Sequence, residues 1–295
     1  MRSGGTPPAV GVPMALCAVL VAMISVQAGA ALSKQLFPAI GAQGATTLRL
    51  VFATLLLWMF WRPWRHWPRR AAWPALLVYG LALGCMNLAF YMSLARIPLG
   101  VAVALEFTGP LLLAVATSRR PLDFAFAGMA VAGVILLLPL HALAAPLDLV
   151  GVGYALGAGA FWALYIVFGK KSSGAAPGGS VAAIGMVVAS CVALVPGLAH
   201  AGADLLSAPL LPVALAVALL SSAIPYSLEM IALKRLPAQT FSILMSAEPA
   251  MGALFGLALL SESLSANQWI AIALIVGASV GTSISAARDA TPGAP

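Results

Sequence analysis

Four ionisable side chains lie inside long apolar stretches of this sequence: Arg49, Glu106, Glu229 and Glu248. Glu106, for example, stands in the run GVAVALEFTGPLLLAVA, where every other residue is apolar or small. A carboxylate in such surroundings can bind an ammonium group or take up a proton, and an arginine can hold a carboxylate through two parallel hydrogen bonds. The pattern therefore predicts a site that binds charged groups.

The three glutamates outnumber the one arginine, and this limits a purely structural explanation. Arg49 could neutralise any single glutamate in a structural ion pair, an alternative that stays open, but it cannot neutralise all three. Burial disfavours the charged form of a carboxylate, so an acid in a cavity that is alternately dry and wet can take up and release a proton. We expect Glu106, with Glu229 or Glu248, to bind a substrate amino group or a coupling proton, and Arg49 to meet a carboxylate.

Further polar residues are predicted to line the same cavity. Asn87 and Tyr91 are four residues apart, and Tyr226 and Glu229 are three apart, so each pair shares one face of a helix. Gln27, in the first apolar stretch, is added to this set. Ordinary hydrogen bonds between helices explain Asn87 and the tyrosines equally well.

Each of two glutamates is followed closely by a proline that we expect to break a helix. Glu106 lies four residues before Pro110, and Glu248 lies immediately before Pro249. The difference of three residues is nearly one helical turn, so both acids should point to similar sides of their helices. Acids beside interrupted helices are typical of transport sites in membrane proteins.

The composition of the chain requires a lipid environment for these residues. Of the 295 residues, 62% are hydrophobic and only 8% are charged, and the mean hydropathy is +1.03. A soluble chain carries about 25% charged residues. Stretches of roughly 20 apolar residues span a bilayer as helices. We predict an all-α polytopic membrane protein with ten transmembrane helices at 14–33, 43–61, 73–94, 98–118, 124–140, 150–169, 180–199, 209–233, 238–260 and 266–286.

The two halves of the chain resemble each other. Aligning Pro110 with Pro249 also pairs the residues Leu94 with Leu233, Arg96 with Arg235, Pro98 with Pro237, Leu105 with Leu244 and Ala114 with Ala253. Because each half has five spans, an odd number, the second half must cross the membrane in the opposite sense. The predicted organisation is a cytoplasmic N-terminus at 1–13, inverted five-helix repeats at 14–140 and 150–286, and a cytoplasmic tail at 287–295.

The basic residues favour one orientation. With both termini in the cytoplasm, Lys34 and Arg96 fall outside and Arg49 lies within a span. The other twelve of the fifteen lysines and arginines fall inside, as the positive-inside rule predicts: Arg2, Arg62, Arg65, Arg69, Arg70, Arg119, Arg120, Lys170, Lys171, Lys234, Arg235 and Arg288. The net charge of +7 is spread over short loops, which excludes a nucleic-acid-binding domain.

Signatures of enzymes, metal sites and cofactor sites are missing from the sequence. The histidines His66, His141 and His200 lie in loops or at span ends and show no H-E-x-x-H spacing. The three cysteines lack metal-type spacing, and we expect no disulfide. The glycine-rich start of the sixth span is predicted to pack against another helix through Gly153 and Gly157.

Several phrases resemble the threonine and homoserine exporter branch of the EamA-type drug/metabolite transporters: VALEFTGPL, SRRPLDF, IPYSLEMIALKRLP, LMSAEPA, LSKQLFP and TTLRLVFATLLL. The resemblance covers nearly the whole chain and is looser over 141–150 and 172–212. It implies an exporter of small amino acids in a bacterial-type inner membrane, with both termini cytoplasmic and no ATP. It supplies no established set of site residues, so the site predictions rest on position alone.

We therefore predict a secondary transporter that exports small amino acids, threonine and homoserine first, by alternating access. A proton gradient or the substrate's own gradient could drive it. The alternatives are an exporter of other metabolites or drugs with the same fold and a membrane scaffold or sensor. The expected partners are the substrate, protons in the coupled case and membrane lipid, and the sequence leaves the oligomeric state open.

Overall fold

The computed structural model describes residues 11–117, 121–137, 148–172, 175, 176, 178–225, 228 and 244–290. Within this part of the chain there is no strand, and each of the ten helices overlaps one predicted span. The helices are α1 Gly11–Ser33, α2 Phe37–Trp61, α3 Trp73–Leu94, α4 Leu99–Thr117, α5 Pro121–Leu137, α6 Leu149–Ser172, α7 Gly178–Ala201, α8 Leu210–Ala218, α9 Glu248–Leu260 and α10 Ala266–Ala290.

Four helical stretches of the described chain are long and apolar enough to cross a membrane: Met14–Trp61, Arg70–Leu94, Leu149–Ser172 and Gly179–Leu206. The shorter apolar helices are Leu99–Leu113, Phe124–Leu136, Leu210–Ala223, Glu248–Leu260 and Ala266–Gly281. A helix satisfies its own backbone hydrogen bonds, and apolar side chains on its outside can face lipid. The chain is therefore a multi-pass membrane protein.

The first long stretch contains α1 and α2, which are joined without a loop. A 3₁₀ turn at Lys34–Leu36 leads directly into α2, and the helix is kinked at Gly41, where φ is 66° and ψ is 175°. A Cβ placed on Gly41 would lie 2.5 Å from the His200 ring. Both the left-handed φ and the close approach of α7 therefore require glycine at this position.

Helix α2 is held on α7 by hydrogen bonds between the helices. The Thr47 hydroxyl donates to the Ala193 carbonyl at 2.7 Å, and the Trp58 indole N–H donates to the Ala183 carbonyl at 3.0 Å. Such bonds are a common means of joining helices in lipid, where apolar contact alone gives little preference. They position α2 along α7, and with it Arg49, which lies between the two bonds.

The remaining contacts between helices connect both halves of the chain. Helix α3 packs against α6 and α7, α4 against α6 and α9, α5 against α10, and α1 and α2 against α8, while α1 also meets α9. The largest cluster of buried apolar side chains includes Leu94, Leu99, Leu105 and Ile272. This cluster fills the bundle around the start of α4.

The packing face of α6 differs from the predicted one. No described atom lies within 4 Å of a Cβ placed on Gly153 or Gly157, so these two glycines do not form a contact face there. The buried small residues of this helix instead include Gly151, Ala155 and Gly159, which are spaced four apart. The spacing of the motif was predicted correctly, but its register on the helix was wrong.

The two ends of the bundle differ in charge. At one end, here called the paired end, Lys34 Nζ binds Glu262 Oε1 at 2.5 Å and Arg96 Nη1 binds Asp148 Oδ2 at 2.7 Å. The Arg96 hydrogen bond, followed by the Val150 backbone N–H, lowers the pKa of Asp148 from its ordinary value. These contacts join the α1–α2, α3–α4, α5–α6 and α9–α10 connections.

The opposite end, here called the tryptophan end, carries Trp58, Trp61, Trp64, Trp67 and Trp73. Its rings contact each other in two pairs, with centroids 6.0 Å apart for Trp58 and Trp64 and 5.4 Å apart for Trp67 and Trp73. None of the arginines in its 62–72 loop forms a salt bridge with a described residue. Free arginines and tryptophans are typical of a membrane interface.

Candidate functional site

A cavity of about 180 Å³ lies between seven helices in the middle of the bundle. Helices α1, α2, α3, α4, α6 and α9 and the segment that begins with α8 all contribute to it. Its apolar wall includes Phe90, Val103, Trp162 and Met245. Its polar lining comprises Gln27, Arg49, Asn87, Glu106, Ser221 and Glu248. Three of the four predicted charged residues thus meet in one cavity.

Arg49 is the cationic group of this cavity, and its side chain is only 8% exposed. One guanidinium nitrogen donates to the Ser221 carbonyl at 3.2 Å, and its Cζ lies 5.1 Å from the centroid of the Tyr91 ring. Its Nε has no hydrogen-bond partner, and no described carboxylate forms a salt bridge with it. Within the described chain, Arg49 is therefore not part of a structural ion pair.

The Ser221 carbonyl is offered by a π turn at Leu219–Ala223, directly after α8. A π turn changes the regular backbone hydrogen-bonding pattern of a helix, and such turns are frequent at functional sites. The neighbouring Leu220 carbonyl accepts a hydrogen bond from the Ser25 hydroxyl at 2.7 Å. The turn thus ties α8 to both α1 and α2. No feature of the sequence predicted it.

Glu106 and Glu248 bring two acids to the cavity. Their side chains are 8% and 7% exposed, and they belong to α4 and α9, which pack against each other. Glu106 is within electrostatic range of both Glu248 and Arg49. The described acidic and basic side chains that line the cavity are thus two glutamates and one arginine.

The two prolines beside these acids have different effects. Helix α4 continues through Pro110, whereas α9 begins at Glu248 with Pro249 in its first turn. The predicted break is present at Pro249 and absent at Pro110. A proline inside a helix removes the N–H that would bond to the carbonyl four residues earlier, which here belongs to Glu106. A Cβ on Gly159 would lie 2.6 Å from that carbonyl oxygen, so α6 packs directly against it.

The remaining predicted residues are placed as follows. Gln27 and Asn87 line the cavity, and the Asn87 amide donates to the Leu83 carbonyl of its own helix at 2.8 Å. Tyr91 is fully buried beneath Arg49 and is not part of the lining. Tyr226 and Glu229 lie outside the described residues. The described part of the chain contains no group of His, Cys, Asp and Glu side chains suited to a metal ion.

Sequence reasoning did not identify Ser221, Trp162 or Tyr165 as cavity residues. Serine is common in membrane helices as a packing residue, and the two aromatic residues belong to an apolar span, so neither type stands out. The doubled serine at 221–222 is the one signal that was available. Its position in the predicted span 209–233, which also contains Tyr226 and Glu229, could have drawn attention to it.

Comparison with known proteins places the chain among transporters. The model of the EamA-like transporter family matches residues 149–284. The threonine/homoserine exporter RhtA of Salmonella typhimurium strain LT2 is 48% identical over 271 residues, which cover 92% of each chain. The chain belongs to the EamA-like transporter family. RhtA of Escherichia coli strain K12 shows the same identity and coverage.

The family assignment agrees with the resemblance seen in the sequence phrases and makes this protein a transporter rather than an enzyme. A solved crystal structure of a protein only 18% identical covers 97% of this chain and all of its own, with a TM-score of 0.59. At that identity the likeness concerns the fold alone. This EamA-like transporter therefore shares its overall fold with a protein of distant sequence.

Proposed function

We propose that this protein exports threonine and homoserine across the inner membrane by alternating access. The relatives with 48% identity over 92% of the chain are named as threonine/homoserine exporters. The observation that carries the proposal is the single cavity that brings together Arg49, Glu106 and Glu248. An amino acid has one carboxylate and one ammonium group, and this cavity has a binding group for each.

The size of the cavity favours a small substrate over drugs or large metabolites. The volume of the cavity is about 180 Å³. Pockets for drug-sized molecules are typically about 300–1,000 Å³. A small amino acid matches the described cavity better than a drug does.

The charges suggest how export is coupled to protons. Arg49 holds the substrate carboxylate, while Glu106, with Glu248 or Glu229, receives either the substrate ammonium group or a proton. The substrate ammonium group and the proton neutralise the same acids, so they compete for them. Release of one allows the other to bind. Such competition couples the two movements without ATP. Glu229 lies outside the described residues and belongs to the proposal on sequence grounds.

Ten spans in two inverted repeats would provide the moving parts, and the helix contacts support this arrangement. A twofold axis between the repeats would relate α1–α5 to α6–α10 in the same order, so each contact between the halves should have a symmetry-related counterpart. The counterpart of the α3–α6 contact is the α8–α1 contact. The contact of α4 with α6 becomes that of α9 with α1, and α3 with α7 becomes α8 with α2. All six contacts occur in the described chain. This is the pattern that a twofold axis between the repeats produces.

Opening of the cavity toward the paired end would require its ion pairs to separate. Glu262 accepts the Leu99 backbone N–H at 2.8 Å besides binding Lys34, so it connects the start of α4 to α1. Arg96 and Asp148 connect the α3–α4 and α5–α6 links in the same way. Beside the apolar cluster around the start of α4, the described residues of this end are joined by these polar contacts, which can separate and re-form.

We propose that the tryptophan end lies in the cytoplasm, with both termini, and the paired end outside; the arginines and tryptophans of the tryptophan end support this orientation. Reporter fusions test this orientation. A reporter active only outside the cytoplasm should respond when fused after Ala144, and a cytoplasmic reporter should respond after Arg70 or at the C-terminus. A C-terminus that reports from outside would contradict the ten-span arrangement and the inverted repeat together.

Efflux of labelled substrate tests the proposed activity directly. Cells or vesicles with the protein should lose labelled threonine and homoserine faster than those without it, and should resist toxic homoserine. A panel of other amino acids sets the substrate range. If wild-type protein exports none of them, the proposed function is wrong. A scaffold or sensor would show no efflux, and neutral replacement of the cavity acids would not change that result.

A further inference from the structure

Two neutral polar atoms at the cavity have no hydrogen-bond partner: Gln27 Oε1 and Ser221 Oγ. Gln27 is 1% exposed and Ser221 is 5% exposed, and both residues line the cavity. An unsatisfied polar group in a buried site costs about 1–3 kcal/mol. Unpaired polar atoms in a cavity therefore point to a ligand that supplies the missing hydrogen bonds.

The two atoms belong to residues on different segments of the cavity wall. Gln27 belongs to α1, and a Cβ on Gly252 would lie 3.3 Å from its Oε1. Gly252 is one turn beyond Glu248 on the same face of α9. Ser221 lies in the π turn, and its own carbonyl binds Arg49. Gln27 thus lies beside the helix that carries Glu248, and Ser221 is the residue whose carbonyl binds Arg49.

The remaining part of the substrate is its side chain, and for threonine and homoserine that part carries a hydroxyl. The two amino acids have the same carbon chain and differ only in which carbon carries the hydroxyl. A hydroxyl can donate to the Gln27 carbonyl oxygen and accept from the Ser221 hydroxyl. Polar groups at two separate positions would let one site hold the hydroxyl of either substrate.

We propose that Gln27 and Ser221 form a neutral subsite that recognises the substrate hydroxyl, an inference that rests on the proposed export of these amino acids. The subsite explains selectivity, whereas Arg49 and the glutamates bind groups that every amino acid has. A site built to hydrogen-bond a hydroxyl rejects the analogue without it, because its polar atoms are then left unpaired.

The probe for this subsite is 2-aminobutyrate, the deoxy analogue of both substrates. Competition with labelled threonine or homoserine in proteoliposomes gives the preference of the wild type for the hydroxyl. One neutral hydrogen bond contributes about 0.5–1.5 kcal/mol, which is about twofold to tenfold in affinity. We expect Gln27→Met, which keeps the side-chain length, and Ser221→Ala each to reduce the preference by this factor. Affinity for 2-aminobutyrate should change little.

Ser190→Ala is the matched control, because this buried serine bonds to Thr54 at 2.7 Å between α2 and α7 and does not line the cavity. It should leave the preference unchanged. Wild-type protein that binds threonine and 2-aminobutyrate equally would overturn the subsite while leaving export of amino acids intact. The subsite would also be overturned if Gln27→Met and Ser221→Ala both insert normally and keep the wild-type preference for the hydroxyl. The wild-type measurement decides the question even where a variant fails to fold.

Discussion

The charges of the cavity and the charges of the paired end are arranged in opposite ways. At the paired end each cation has a carboxylate partner, Lys34 with Glu262 and Arg96 with Asp148. In the cavity the described contacts of Arg49 are with a carbonyl and an aromatic ring, although two buried glutamates line the same space. Paired charges near the ends of helices can hold a conformation closed. Buried charges kept apart can bind a ligand that neutralises them.

The comparison predicts that removing the cavity cation has the largest effect. Arg49→Met should nearly abolish threonine efflux, because a hydrogen bond to a charged group contributes about 1.5–3 kcal/mol, which is about tenfold to 150-fold in affinity. Arg49→Lys keeps the charge but loses the forked geometry of the guanidinium. Its threonine efflux should therefore lie between those of the wild type and Arg49→Met. Efflux near the wild-type rate in Arg49→Met would show that this charge is structural.

The second prediction concerns the acid that faces Arg49. Glu106→Gln should express and insert normally, since glutamine fills the same space, but should lose most gradient-driven efflux and much of its pH dependence. Efflux is measured across about pH 6 to 8, where exposed carboxylates remain ionised. The control is Glu262→Gln, an acid outside the cavity. If Glu106→Gln exports at the wild-type rate throughout this range, proton coupling through Glu106 is wrong.

The third prediction tests how closely α6 supports the Glu106 turn. Gly159→Ala places a methyl group against the Glu106 carbonyl, so we expect lower thermal stability in detergent, by about 1–3 kcal/mol for an overpacked contact. Gly157→Ala on the same helix meets no described neighbour and should be neutral or slightly stabilising. Equal melting temperatures for the two variants would mean that α4 and α6 are not in tight contact.

A smaller effect is expected at the paired end. Glu262→Gln keeps an acceptor for the Leu99 N–H but removes the charge that binds Lys34, so stability should fall by about 1 kcal/mol or less. Glu262→Ala also leaves that N–H without a partner and should cost more. Efflux by Glu262→Gln should remain within a few-fold of wild type. Complete loss would place this pair among the binding groups and remove the contrast with the cavity.

The smallest effect is expected for Asp148→Asn, because the pair with Arg96 is exposed. Hydrogen bonds from Arg96 and Val150 lower the pKa of Asp148 below its ordinary value. The pair therefore contributes above the ordinary carboxyl pKa and is lost only when the pH falls through the lowered value. Between pH 6 and 8 the melting temperatures of wild type and Asp148→Asn should run parallel. A difference that grows within this range would contradict the assignment.

Sequence alone determined the class of protein and the positions of its helices. The predicted span 73–94 coincides with α3, and the 98–118 span differs from α4 by one residue at each end. Lipid allows few backbone conformations, so long apolar stretches become helices almost regardless of their details. The rarity of charge in such stretches identified Arg49, Glu106 and Glu248, because a charge in lipid is costly and needs a reason.

The tertiary structure decided which faces of the helices meet. In water, the apolar stripe of a helix marks its buried side, but helices that are apolar all round carry no such mark. This is why the packing face of α6 was assigned to Gly153 and Gly157 instead of Gly151 and Gly159. Tyr91 was expected in the cavity for the same reason, and it lies beneath Arg49 instead.

Two further features depend on contacts between segments that are far apart in the chain. The π turn at Leu219–Ala223 presents its carbonyls to Ser25 and Arg49, which precede it by more than 150 residues, as the sequence separations of these hydrogen bonds show. The continuity of α4 through Pro110 likewise depends on neighbours such as Gly159, which packs against the carbonyl that the proline leaves free. Local sequence could indicate a possible break, but only the surrounding helices determined whether the backbone would bend there.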